Sequence, residues 1–207
     1  MTDADRLASR IAALPAVRPR LLVAIAGPPA SGKTTLAAEV AARISALGRP
    51  ARHVPMDGFH LNNPVIEARG LLARKGAPET FDAAGFVHAM RRLGTEEEVV
   101  LPSFDRARDI AIAGSIAVGP ETEVAVVEGN YLTFDEAPWD TLAPLWQFAV
   151  FLDVPEPVLA ERLIARWRDH GLDDAQARRR AEENDLPNAR RILARRLPGV
   201  STLDELR

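Results

Sequence analysis

Residues Gly27-Pro28-Pro29-Ala30-Ser31-Gly32-Lys33-Thr34 fit the pattern G-x-x-x-x-G-K-[ST], and a further hydroxyl follows at Thr35. Glycines at those spacings let backbone N–H groups turn inward around a phosphate, and the N-terminus of the helix that the loop opens adds positive potential. The lysine of such a loop reaches the terminal phosphates, and the Thr34 hydroxyl can ligate Mg²⁺. Residues 27–35 are therefore expected to bind a nucleotide. A chance glycine-rich turn needs no particular neighbours, whereas here an apolar run, residues 21–26, precedes the loop and an Ala-rich helical pattern, residues 36–47, follows it. Lys33 and Lys75 are the only lysines, every other Lys/Arg position being arginine. A compact ammonium at a phosphate is not replaced by a planar guanidinium without loss of fit.

A phosphate loop needs a second metal ligand, and an acid at the end of a later buried strand supplies one. Glu128, after the run Val124-Ala125-Val126-Val127, is expected to help hold Mg²⁺, directly or through water. Its plainer reading is a strand-terminal acid in solvent. Asp153 ends the next apolar run but suits capping of the helix after Pro155 better. Asp57 closes the second strand, where one carboxylate suffices to orient an acceptor hydroxyl and finally take its proton. The alternative there is a turn-forming Asp-Gly pair. Arg162, Arg166 and Arg168 lie on the helix after the fifth strand and are followed by a break at Gly171, as expected of a lid closing over phosphates. Arg166 is the first choice to stabilise charge on the transferred phosphoryl group, although these arginines also have Glu161, Asp169, Glu182 and Glu183 as partners in the same segment.

The elements that must position these groups follow from periodicity. Residues 3–14 read as an amphipathic helix, 21–26 as a buried strand, 36–47 as a helix and 51–56 as a short strand. The stretch 57–78, rich in Gly, Asn and Pro, reads as a working loop. Residues 82–93 suit a helix capped by Asp82, 99–101 a strand and 111–118, which alternates weakly, a hairpin. Residues 124–127 and 148–152 are further buried strands with a short helix, 139–146, between them. Helices are expected over 157–169, 174–183 and 187–196. Alternating strands and helices predict a parallel sheet covered on both faces, with ligands at the carboxyl ends of its strands.

The chain has 207 residues, 47% hydrophobic and 27% charged, which fits a globular protein read here as a single domain, 1–207, with a lid at about 162–185. A formal net charge of −3 gives no general basic field for nucleic acid. With no cysteine, thiolate metal sites and cysteine nucleophiles are excluded. The polar start lacks the apolar core of a signal peptide, and no apolar run reaches membrane-spanning length, so the cytoplasm is the expected compartment. A small-molecule hydroxyl substrate is the expected partner, a homodimer is allowed, and neither nucleic acid nor a membrane is expected.

The segments GPPASGKTT at 27–35, MDGFH at 56–60, RKGAPETFD at 74–82, PSFDRARD at 102–109 and VVEGNYL at 126–132 together resemble the P-loop kinases that include uridine kinase, phosphoribulokinase and the bacterial type of pantothenate kinase. The likeness covers most of the chain and extends to bacterial proteins described as fructose transport system kinases, which carry similar DGFH, RKGAPETFD, FDRA and NDLPNA segments. The resemblance implies a three-layer α/β/α P-loop NTPase fold with a mainly parallel sheet and a helical lid, ATP and Mg²⁺ as cofactors, and phosphorylation of a hydroxyl of a small molecule with Asp57 as base. Carried over by position, it puts Phe59 and His60 beside the acceptor, Lys75 and the 76–78 turn on the acceptor side, and Asp105 with Arg108 across the pocket. Read without it, Arg74 and Lys75 are equally a solvated pair and His60 a polar loop residue. The segments by which uridine kinase and phosphoribulokinase hold a nucleoside or a sugar phosphate are missing, so the acceptor stays open. Fructose or another sugar ranks first, with a pantothenate- or nucleoside-type acceptor as the alternative. A GTPase switch would need an Asn-Lys-x-Asp guanine reader, which no lysine here permits, and a transport ATPase a Ser-Gly-Gly signature, which is absent. A nucleotide-binding module without an acceptor is disfavoured by the presence of Lys33, Thr34, Asp57 and Glu128 together.

Overall fold

The computed structural model describes residues 1–206. Five strands, β1 (Leu21–Ala26), β2 (Ala51–Pro55), β5 (Val124–Gly129), β6 (Phe148–Phe151) and β7 (Ser201–Thr202), form a sheet in the order β2-β5-β1-β6-β7. Every pairing in it is parallel. All six residues of β1 and of β5 are buried, as expected of central strands covered on both faces. Two further strands, β3 (Val99–Asp105) and β4 (Ile110–Val118), pair antiparallel in a separate hairpin with a register shift between Leu101 and Ser103.

Helices cover the two faces. On one, α1 (Asp3–Ala12) and α2 (Lys33–Ala46) bury Leu7, Ile11, Val40 and Ile44 against Val23, Ile25 and Val126. On the other, α4 (Ala83–Thr95) buries Phe86, Met90 and Leu93 with Tyr131 and Trp139. Asp82 caps α4 through Gly85 N, as its sequence predicts. The buried guanidinium of Arg20, just before β1, donates to the Leu93 and Glu96 carbonyls at 2.6 and 2.8 Å and so ties the end of α4 to the sheet. A third cluster joins α5 (Glu156–Asp169) to α7 (Leu186–Ala194) through Leu159, Leu163, Leu186 and Ala189, with α6 (Asp174–Arg180) between them in sequence. The result is a three-layer α/β/α architecture.

Several expectations are corrected. The 57–78 loop contains a short helix, α3 (Asn63–Ala68), capped by Asn62. The helix expected over 174–183 stops at Arg180 and passes through a π-helical turn, Ala181–Asp185, into α7. Asp153 does not cap α5, whose N-cap is Pro155 without a side-chain bond; the Asp153 carboxylate instead stands 3.6 Å from Arg196.

Candidate active site

Register brings the chemistry to one edge. Ile25 and Pro55 both pair with Glu128, so the carboxyl ends of β1, β2 and β5 finish level and release the loops beginning at Gly27, Met56 and Asn130 side by side. A cleft of about 560 Å³ opens there.

The glycine loop forms one wall. Gly32 has φ of 92° and Ala30 of 62°, so two residues of the loop are left-handed and turn the chain into α2. Glycine adopts that conformation without strain, whereas Ala30 holds it against a steric preference. Lys33 is only 9% exposed, and its ammonium makes a long 3.4 Å hydrogen bond from Nζ to the Pro28 carbonyl. Burial pulls its pKa down, against the attraction of Glu128 and Asp57. Thr34 Oγ1 donates to Glu128 Oε1 at 3.1 Å, and Glu128, 2% exposed, is pushed up by burial while Lys33 pulls it down. Ser31 Oγ, Asn130 Oδ1 and Arg166 Nε are buried without a hydrogen-bond partner. A dehydrated ammonium, unsatisfied polar atoms and a hydroxyl–carboxylate pair suit a polyphosphate and a divalent cation. Among the described residues no three His, Cys, Asp or Glu side chains gather as a metal cage. A cation beside Thr34 and Glu128 would then take most of its ligands from phosphate and water, which is the habit of Mg²⁺.

Asp57 lies in a 3-10 turn, Met56–Phe59, directly after β2. A Cβ on Gly58 would come 2.3 Å from the Pro102 carbonyl oxygen, so only glycine lets this turn lie against β3. The Asp57 carboxylate faces the cleft and accepts from Arg106 at 2.8 Å. His60 also lines the cleft, stacked on Phe81 with ring centroids 3.9 Å apart. Burial pushes its pKa down to about 4, and its Nδ1 has no partner. Lys75 stretches across the same end, bonded to Asn63 Oδ1 at 2.6 Å and paired with Asp109 at 2.7 Å. Arg166, Trp167 and Arg180 close the far side, with Arg166 depressed by burial and by Arg106.

The structure brings together Lys33, Thr34, Thr35, Asp57, His60, Lys75 and Arg166 around the cleft, with Glu128 behind Thr34. It does not bring Phe59, Asp105 or Arg108. Phe59 turns into the core and meets Phe86 edge-on at 5.1 Å. Asp105 Oδ1 accepts from the backbone N–H groups of Ala107 and Arg108 and so shapes the β3–β4 turn, while Arg108 points to solvent. From that turn it is Arg106 and Asp109 that face the cleft, and neither was singled out by sequence. Arg162 donates to the Ala30 carbonyl at 3.2 Å, behind the glycine loop, and Arg168 pairs with Asp174. Asn184 and Asn188, in a segment to which sequence assigned no role, reach the acceptor-side loop: Asn184 Nδ2 donates to the Lys75 carbonyl at 2.9 Å, and Asn188 Oδ1 accepts from Arg74 at 3.0 Å.

No family model matches the chain. A "putative fructose transport system kinase" from Silicibacter sp. TM1040 superimposes with a TM-score of 0.91 at 52% identity, over 98% of each chain. A "putative uridine kinase" of Schizosaccharomyces pombe is 34% identical over 89% of this chain and 83% of its own length. An uncharacterized protein of Escherichia coli K12 is 35% identical over 88% of this chain and 78% of its own length.

Proposed function

The chain belongs to the P-loop kinases, ATP-dependent enzymes acting on small molecules, and from that premise we propose that it transfers the terminal phosphoryl group of Mg-ATP to a hydroxyl of a small polyhydroxylated molecule, with a free sugar such as fructose first among the acceptors. The observation that carries this reading is that one cleft is lined both by Lys33, Thr34 and Arg166, suited to phosphates, and by Asp57, His60 and Lys75, suited to an acceptor.

In this reading the backbone of residues 27–35 and Lys33 hold the polyphosphate, and Thr34 with Glu128 holds Mg²⁺. The cation would neutralise charge on the bridging phosphates and orient the terminal one. Asp57 accepts the proton of the attacking hydroxyl, a step that needs the Arg106 guanidinium to let go of the carboxylate. Arg106, once free, stands where it can meet charge on the transferred group. Arg166 approaches from the other side with the 162–185 segment as lid, and closure removes water that would otherwise take the phosphoryl group. His60 stays neutral near pH 7, because burial holds its pKa at about 4, so it can accept or donate a hydrogen bond without adding charge.

The test is ADP release from Mg-ATP by the purified chain against fructose and other sugars, uridine, pantothenate and glycerate. Stimulation by a sugar is the expected result. Stimulation by uridine or pantothenate alone would replace the acceptor but keep the chemistry, and a slow rate indifferent to all acceptors would count against phosphoryl transfer to a small molecule.

A further inference from the structure

The cations lining the cleft differ in their pairing: Arg106 and Lys75 are in ion pairs with acids, and Lys33 and Arg166 are not. Among the described residues neither Lys33 nor Arg166 forms a direct ion pair, although Glu128 and Asp57 attract the first and Asp185 and Asp57 the second, so both cations are free to contact a polyphosphate. Two other cations of the cleft are matched: Arg106 with Asp57 at 2.8 Å and Lys75 with Asp109 at 2.7 Å. His60, beside these pairs, is kept neutral by burial.

The Lys75–Asp109 pair is built with care. Asp109 adopts φ of 56°, a left-handed backbone that aspartate tolerates and most side chains do not. In that conformation, in the turn just before β4, the residue lines the cleft. One oxygen takes Lys75 Nζ, the other takes Asn63 Nδ2 at 2.8 Å, and the Asp109 carbonyl stands 3.4 Å from the same ammonium. The lysine is also seated 5.4 Å from the Phe104 ring centroid and is only 12% exposed. An acceptor bearing a carboxylate or phosphate at this position would set its charge beside Asp109, with the Lys75 ammonium already engaged. A neutral polyol finds donors and acceptors in Lys75, Asp109 and His60, and an apolar face in Phe104.

We infer that Asp109 is a specificity-determining residue, which by holding Lys75 confines the acceptor to uncharged polyhydroxyl compounds and refuses their anionic counterparts. This rests on the kinase reading above and narrows its acceptor. Removing the carboxylate leaves a partly buried ammonium ready for an anion, so the substitution is expected to add an activity rather than only lose one.

The experiment measures ADP release with matched acceptors, glycerol against glycerate and fructose against gluconate, for the natural chain, Asp109→Asn and the double variant Asp109→Asn/Lys75→Met. Asparagine is chosen because it also accepts the left-handed backbone and keeps the shape of the side chain. The natural chain is expected to ignore glycerate and gluconate. Asp109→Asn is expected to raise kcat/KM for at least one of them by about tenfold or more, the scale of one charge-assisted hydrogen bond, and the double variant to lose that gain. Equal response of the natural chain to the anionic acceptors, no gain in Asp109→Asn, or a gain that survives removal of Lys75 each overturns the inference. A natural chain that turns over a neutral acceptor while the variant gains nothing removes the role of Asp109 alone. Silence of all three proteins with all four acceptors removes the polyol reading along with it.

Discussion

The two acids proposed for the reaction sit in opposite environments. Glu128 is buried at 2% exposure between Thr34 and Lys33, whereas Asp57 is partly open and held by one guanidinium. Only the second can meet an incoming hydroxyl, so Asp57→Asn is expected to keep nucleotide binding while phosphoryl transfer falls by at least about two orders of magnitude, the usual contribution of a general base. Transfer rates and nucleotide affinity measured on the same preparation check both halves. His60 makes a pH prediction. Unfolded, it takes a proton near its ordinary value of 6.5; folded, it resists protonation down to about 4. Between those values the unfolded chain binds more protons, so stability falls as pH drops through that window, by a limit of roughly 3 kcal/mol, and this contribution stops changing below the folded pKa. His53 is depressed by burial in the same direction, so the measurement must be a difference. His60→Gln is expected to flatten the pH dependence of the urea midpoint over that range, and parallel curves for the two proteins would rule His60 out. Sequence placed Asp57 and Glu128 because each ends a strand, a relation that survives folding. It misplaced Phe59, Asp105 and Arg108 because which side chains of a tight turn face a cleft depends on backbone angles such as the φ of Asp109, and no periodicity reports those.

Elements explain how the acceptor side is held. In the loop between α3 and α4, three carbonyls are captured by side chains from elsewhere: Ala73 by Arg180 at 3.0 Å, Lys75 by Asn184 at 2.9 Å and Gly76 by the Tyr131 hydroxyl at 2.6 Å. Two of the three come from the segment that ends α6 and forms the π-helical turn. That turn widens the helix by a residue and aims buried Asn184 back at the loop, a common use of such irregularities. Asn184→Ala leaves the Lys75 carbonyl without its donor, at a cost of about 1–3 kcal/mol, and frees the backbone that fixes the ammonium. The expected outcome is a several-fold rise in KM for the acceptor with KM for ATP little changed. Equal effects on both would mean that Asn184 merely supports the fold. Strands β1 and β5 were legible to within a residue or two, because a continuous buried run bounded by glycine has few other readings. The π-helical turn was not, since its residues have ordinary helical character and the loop carbonyl that Asn184 binds lies 109 positions away.

At the scale of the whole molecule, the sheet lets one ligand tie together parts that are remote in sequence. The glycine loop hangs from β1, Glu128 from β5 and Arg166 from α5, so a nucleotide bound across them joins the central strands to the helical segment packed over their ends. Two of those groups, Lys33 and Arg166, are desolvated cations that lower the stability of the empty protein, as the burial-driven fall in both their pKa values records. A polyphosphate relieves that penalty, and any ligand that binds only the folded chain stabilises it by mass action. Mg-ATP analogue at one hundred times its Kd is worth about 2.7 kcal/mol. In a chain of 207 residues that corresponds to a rise in Tm of roughly 5–10 °C. Lys33→Met removes the buried ammonium and its attraction for phosphate together. Its empty form is expected to melt at or above the temperature of the natural chain, and to gain little when the analogue is added. Melting curves with and without the analogue check both statements. A variant that melts lower when empty would show that Lys33 stabilises the fold through Glu128, and one that keeps the full ligand-induced rise would place the polyphosphate away from the glycine loop.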